Sequence, residues 1–183
     1  TAGTMSIEQH SGSDKTFHIA CGTLNMKSDT YIYQNSTDTN IFKITGDLVI
    51  DASKTFTTFY DDGSNNYGSK VEVTGDVTLN GTLNAYSAKN AKPMDFGSFK
   101  IASGATYTAT SNITTINGGF HNHGTFTPNK GTIEMGGTGS VVNALPPKLK
   151  INNEGVVNFD GTNDYINISG FNLNTVLSGD DIT

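Results

Sequence analysis

The 183-residue chain holds one cysteine, four prolines and no tryptophan. A lone Cys21 excludes an intrachain disulfide framework and a four-cysteine metal site. Its eleven basic residues are all lysines, set against seventeen acidic ones, for a net charge of −6. That balance, with no arginine at all, speaks against nucleic-acid binding, which needs basic phosphate contacts. No apolar run approaches the ~18 residues of a membrane-spanning helix, so no membrane insertion is expected. The first residues have neither the basic start nor the apolar stretch of a signal peptide. Neither a Gly-x-Ser-x-Gly elbow nor a Gly-x-x-x-x-Gly-Lys-Ser/Thr phosphate loop occurs, and no cofactor is expected.

What fills the chain instead is Thr, Asn, Ser and Gly. Thr favours strands, Asn and Gly favour turns, and all three are poor helix residues. Apolar residues alternate in short groups, as in Val71-Glu72-Val73, Val77-Thr78-Leu79, Phe99-Lys100-Ile101 and Ile133-Glu134-Met135. Alternation of this kind marks strands with one buried face. The chain therefore reads as all-β.

Repetition refines that reading. A Gly-x-apolar start recurs at Gly46, Gly75, Gly97, Gly118 and Gly139, at intervals of 29, 22, 21 and 21 residues. The longest interval carries the polar stretch Asp61-Asp62-Gly63-Ser64-Asn65-Asn66. Inside each period a second apolar position follows a turn (Leu83, Tyr107, Phe126), and a third group closes it (Ile113 and Ile116, then Ile133 and Met135). Three short strands per period of about 21 residues predict a β-solenoid, in which each coil buries its inward residues on the next. A β-sandwich built of hairpins is the rival architecture. Residues 1–45 fit the period less well and read as a capping or anchoring segment. Residues 46–156 carry the solenoid repeats. Cys21 is expected as a small inward residue of a first coil, in a stretch whose Gly22 lies between two alternating pairs.

The units Gly124-Thr125-Phe126 and Gly131-Thr132-Ile133, within Gly118 to Gly139, resemble β-solenoid repeats of phage appendage proteins and bacterial surface adhesins. The segment Val157 to Ile168, with Phe159-Asp160-Gly161-Thr162-Asn163-Asp164-Tyr165, resembles the opening strands of a laminin-G-like, concanavalin-A-like jelly-roll module. Residues 157–183 are thus expected to begin such a module and leave it incomplete. These resemblances imply a non-enzymatic structural or adhesive protein, a tail or head fibre of a phage virion. It would be a homotrimer, held by other virion structural proteins, with a C-terminal module facing a host-surface glycan. A secreted adhesin stalk on a bacterial cell surface is the alternative, and a polysaccharide-degrading solenoid enzyme is the third reading.

Few residues carry chemistry. His121-Asn122-His123 is the one histidine pair at ligand spacing, since i and i+2 share a strand face. His121 and His123 are therefore the candidate metal ligands, three pairs meeting on a trimer axis supplying six nitrogens. Phase opposes this, because Phe120 and Asn122 fall in the inward register and turn both histidines outward. The stretch from Asp61 to Asn66 crowds oxygen ligands around a glycine as calcium loops do, but lacks the closing acidic residue. Asp160, Asp164 and Glu134 are the carboxylates an enzymatic reading would draw on. Asp160 and Asp164 also suit Asx-type turn bonds.

Overall fold

The computed structural model describes residues 5–9, 15–34, 39–61, 66–86, 90–137, 141–142 and 149–151. Among these residues there are strands and no helix. The chain opens with β1 (Met5–Gln9), β2 (Thr16–Met26), β3 (Thr30–Gln34), β4 (Ile41–Ile50) and β5 (Thr55–Thr57). A hairpin of β6 (Phe59–Asp61) and β7 (Asn66–Gly68) follows. Next come β8 (Lys70–Val73), β9 (Val77–Leu79), β10 (Thr82–Asn84), β11 (Met94–Phe96), β12 (Phe99–Ile101) and β13 (Thr106–Thr108). The last are β14 (Ile113–Ile116), β15 (Phe120–Asn122), β16 (Thr125–Thr127), β17 (Thr132–Met135), β18 (Val141–Val142) and β19 (Leu149–Ile151).

Among the described strands, pairing is parallel except in the β6–β7 hairpin. One sheet runs β1-β3-β5-β10-β13-β16. The other runs β18-β15-β12-β9-β4-β8-β11-β14-β17-β19, with β2 also on β4. The long strand β4 divides that second sheet into two wings. Its first half pairs with β8 and its second half with β9. Gly46 sits between the halves at φ 118°, a backbone that side chains with a Cβ rarely adopt. Each strand from β11 to β18 then stacks on the strand three places earlier. A mostly parallel arrangement of this kind is compatible with a β-solenoid, and among the described residues it is not that of a hairpin-built sandwich.

The recurring glycines share one corner. Gly75 N donates to Gly46 O at 3.0 Å, Gly97 N to Gly75 O at 3.0 Å, and Gly118 N to Gly97 O at 2.7 Å. A Cβ on Gly97 would sit 2.8 Å from both Gly75 C and Thr74 O. Backbone approaches backbone there too closely for any side chain, which explains glycine at a position where φ is ordinary.

Alternation in the strands produces one apolar interior. Leu48, Val77, Phe99 and Phe120 stand in register and are fully buried. Phe56, Leu83 and Tyr107 form a second buried column, topped by the half-buried Phe126. Phe99 links the columns, with ring centroids 4.9 Å from Tyr107, 5.1 Å from Phe96 and 5.9 Å from Phe120. The first two pairs are edge-to-face and the third is stacked, and both geometries add attraction to burial.

Several local expectations change. Ile113, grouped in the sequence with Ile116, points outward and is 39% exposed. Three residues apart on a strand cannot share a face, so Thr114 takes the inward place beside Ile116. Thr114 Oγ1 meets the buried Tyr107 hydroxyl at 2.8 Å, which satisfies both. Cys21 is half-buried against the core. Strand β4 spans residues 45 and 46, with Gly46 between its two halves. Strand β2 also pairs with β4 from Thr16 to Met26, around an irregularity between Ala20 and Thr23, as later strands pair. The module expected over 157–183, including Asp160 and Asp164, lies outside the described residues.

Candidate functional site

Three outward ladders face away from the core, and they differ in chemistry. On the β8 wing, register places His18, Lys43, Glu72, Asp95, Thr115 and Glu134 in one column. Neighbouring strands lie ~4.8 Å apart, so carboxylates stacked this closely repel unless neutralised. Lys70 Nζ lies 2.6 Å from Glu72 Oε1, and Lys43 Nζ lies 3.5 Å from Glu72 Oε2. The hydrogen bond from Lys70, and then the charges of both lysines, hold the Glu72 carboxyl below its usual range against the opposing effect of burial. Asp95 Oδ1 accepts from Asn117 Nδ2 at 2.8 Å. Glu72 and Asp95 are thus engaged with partners from their own ladder or the adjoining turn. Glu134, drawn on for catalysis from sequence, shares this column.

On the β9 wing, the outward column is Asn25, Val49, Thr78, Lys100 and His121. Phe120 and Asn122 are buried, His121 is half-buried and His123 is exposed. The histidines therefore point outward, as phase indicated, and His121 stands in register with the cation Lys100. One chain offers two imidazoles here. No cluster of three or more His, Cys, Asp or Glu suited to a metal occurs among the described residues. Of the proposed calcium loop, Asp61 and Asn66 pair across the β6–β7 hairpin. Positions 62–65 lie outside the described residues.

The third ladder, β5-β10-β13-β16, is uncharged. Thr55, Thr82, Thr106 and Thr125 form one outward column. Thr57, Asn84, Thr108 and Thr127 form the other. Sequence reasoning passed over this grid. Its signal was the recurring Thr-x-Thr, at 55–57, 106–108 and 125–127, masked by the general abundance of threonine.

A shallow concavity of about 310 Å³ lies nearby, lined by Tyr86, Ser111, Asn129 and Lys130. Asn129 and Lys130 have φ of 44° and 66°. Asn129 Nδ2 donates to Ala109 O at 3.2 Å, which holds that turn to the preceding one. Inside the protein, burial pushes the Tyr107 hydroxyl far above the usual tyrosine range, with the bond to Thr114 pulling the other way. It is a structural group sealed from solvent.

Compared with protein-family models, curated proteins and solved structures, the chain matches none.

Proposed function

We propose that the chain is a non-enzymatic structural rod, a β-solenoid whose coils of three strands repeat about every 21 residues. Residues 1–45 cap or anchor it, residues 46–156 carry the repeats, and 157–183 lead into a laminin-G-like module. The rod belongs to a phage virion appendage, assembles as a homotrimer on other virion proteins and presents a glycan-binding tip. One observation carries the reading: the in-register column Leu48, Val77, Phe99 and Phe120. Each member is covered by the next, so the arrangement extends by adding coils and gains length without a new core. A bacterial adhesin stalk would use the same architecture, and the particle or envelope with which the chain co-purifies separates the two.

The enzymatic alternative draws on Glu72, Asp95 and Glu134 in one column. Glycoside cleavage needs one carboxyl held protonated beside an ionised one. Glu72 runs the other way, since its lysine partners favour the charged form.

The test is light-scattering mass in solution with negative-stain imaging of the full chain. The expected result is an elongated particle of three chains. A compact monomer would sink the appendage reading, and release of reducing or unsaturated ends from a polysaccharide panel would favour the enzyme.

A further inference from the structure

The uncharged ladder carries an inference that needs only the pairing register and not the appendage reading. Its four strands read Thr-Phe-Thr, Thr-Leu-Asn, Thr-Tyr-Thr and Thr-Phe-Thr. The central residue of each turns inward: Phe56, Leu83 and Tyr107 are fully buried and Phe126 half-buried. Two columns of short side chains, seven Thr and one Asn, are left outside. Strand pairing sets a repeat of ~4.8 Å along the columns, and alternate residues on a strand stand ~6.6 Å apart. No register shift interrupts these pairings, so the grid is periodic in both directions.

Strand propensity accounts for threonine on any half-buried surface. It does not account for segregation. The other two outward columns carry Lys43, Glu72, Asp95 and Glu134 on one wing, and Lys100 and His121 on the other. The grid strands carry no charge at all. Protein partners favour aromatic and arginine anchors, and polyanions require cations. Flat polysaccharide is held by exposed aromatic rings, and the rings of these strands face the core.

The remaining ligand is itself uncharged, hydrogen-bonding and periodic in two dimensions. Ice meets all three conditions, and the oxygen repeats on its prism faces are close to both grid spacings. We propose that the β5-β10-β13-β16 face binds ice. Each hydroxyl bonds a lattice water, and each methyl holds the neighbouring waters in order. Threonine suits this because its β-branched side chain is stiff at χ1, so little rotamer freedom is lost on binding. Weak contacts repeated on one rigid face act together, as linked sites do.

The experiment measures thermal hysteresis and inhibition of ice recrystallisation with the full chain. The variants are Thr106→Tyr and Thr125→Tyr on the grid and Thr115→Tyr on the β8 wing. Circular dichroism reports the fold of each. The expected result is hysteresis in the parent protein, lost in both grid variants and retained in Thr115→Tyr. Thr106→Val, which keeps the shape and removes one hydroxyl, replaces any tyrosine variant that fails to fold and should weaken the effect. Folded parent protein without hysteresis or recrystallisation inhibition overturns the proposal. Hysteresis that falls equally in Thr115→Tyr overturns it, as does retention on crystalline cellulose or chitin without any effect on ice.

Discussion

Replacing Gly97 with alanine probes the shared corner where successive strands meet. The added Cβ would stand 2.8 Å from Gly75 C and from Thr74 O, and closer still to Gly75 O. All three atoms are backbone, so no side chain can swing aside. Relief requires moving one strand-to-strand turn from the one it rests on. Gly97 N donates to Val73 O and to Gly75 O, each at 3.0 Å, and that movement strains both bonds. Overpacking costs about 1–3 kcal/mol, and each weakened backbone bond adds about 0.5–1.5 kcal/mol. The expected loss is therefore about 2–6 kcal/mol. Gly22 is the control, because a Cβ there meets nothing within 4 Å and its φ is ordinary. Gly22→Ala should stabilise by about 0.4–1 kcal/mol through the unfolded chain. Gly104 separates space from strain: its surroundings are open but φ is 80°, so Gly104→Ala should cost about 1–2 kcal/mol. Urea unfolding followed by circular dichroism measures all three, with the slope checked because stacked repeats can depart from two-state behaviour. Equal effects of Gly97→Ala and Gly22→Ala would refute the stacked corner.

Tyr107→Phe removes one partner of a buried pair and leaves the Thr114 hydroxyl without its bond. It should cost about 1–3 kcal/mol in the same unfolding assay. The raised Tyr107 titration means the folded state resists losing that proton, so its contribution is complete below the usual tyrosine value near ~10 and is lost as pH rises beyond it. Tyr107→Phe should flatten the alkaline limb of stability against pH. Glu72 behaves oppositely: its lowered titration gives stability present above 4.5 and lost as pH falls through the folded value. Glu72→Gln should flatten the acid limb, and an unchanged limb would show that the Lys70 and Lys43 contacts contribute nothing. Exchanging both His121 and His123 for alanine should shift stability by no more than ~1 kcal/mol, about 0.5 for each outward position. A chelator should leave the unfolding midpoint where it is. A midpoint that rises with added zinc in the parent protein but not in the double variant would establish the metal site instead.

Much of the architecture was legible because strands announce themselves by alternation and turns by glycine. Val77 and Leu79, or Phe99 and Ile101, can hide only one face, and they do so where the pattern places them. The glycine intervals were legible for a related reason: Gly75, Gly97 and Gly118 meet the same backbone crowding, so the same residue recurs. Thr114 was less legible. A polar residue takes an inward place only because a tyrosine hydroxyl from another strand comes to meet it, and one sequence does not show that meeting. The acidic column was hidden for the same reason, since Glu72, Asp95 and Glu134 come from separate strands and only register aligns them. The threonine grid lay in plain view, but abundance made it look like composition rather than placement.

The central claim is that segments about 21 residues apart lie side by side and parallel. Cysteine pairs test it most directly. Thr106 and Thr125 are in-register neighbours on adjoining strands, so their Cα atoms stand at ~4.8 Å, within the span a disulfide bridges. In a Cys21→Ser background, Thr106→Cys with Thr125→Cys should oxidise within one chain, as should Lys100→Cys with His121→Cys. Thr82→Cys with Thr127→Cys, two strands and two residues of register apart, should not. Failure of both in-register pairs, or equal bridging by the displaced pair, would contradict the stacked arrangement.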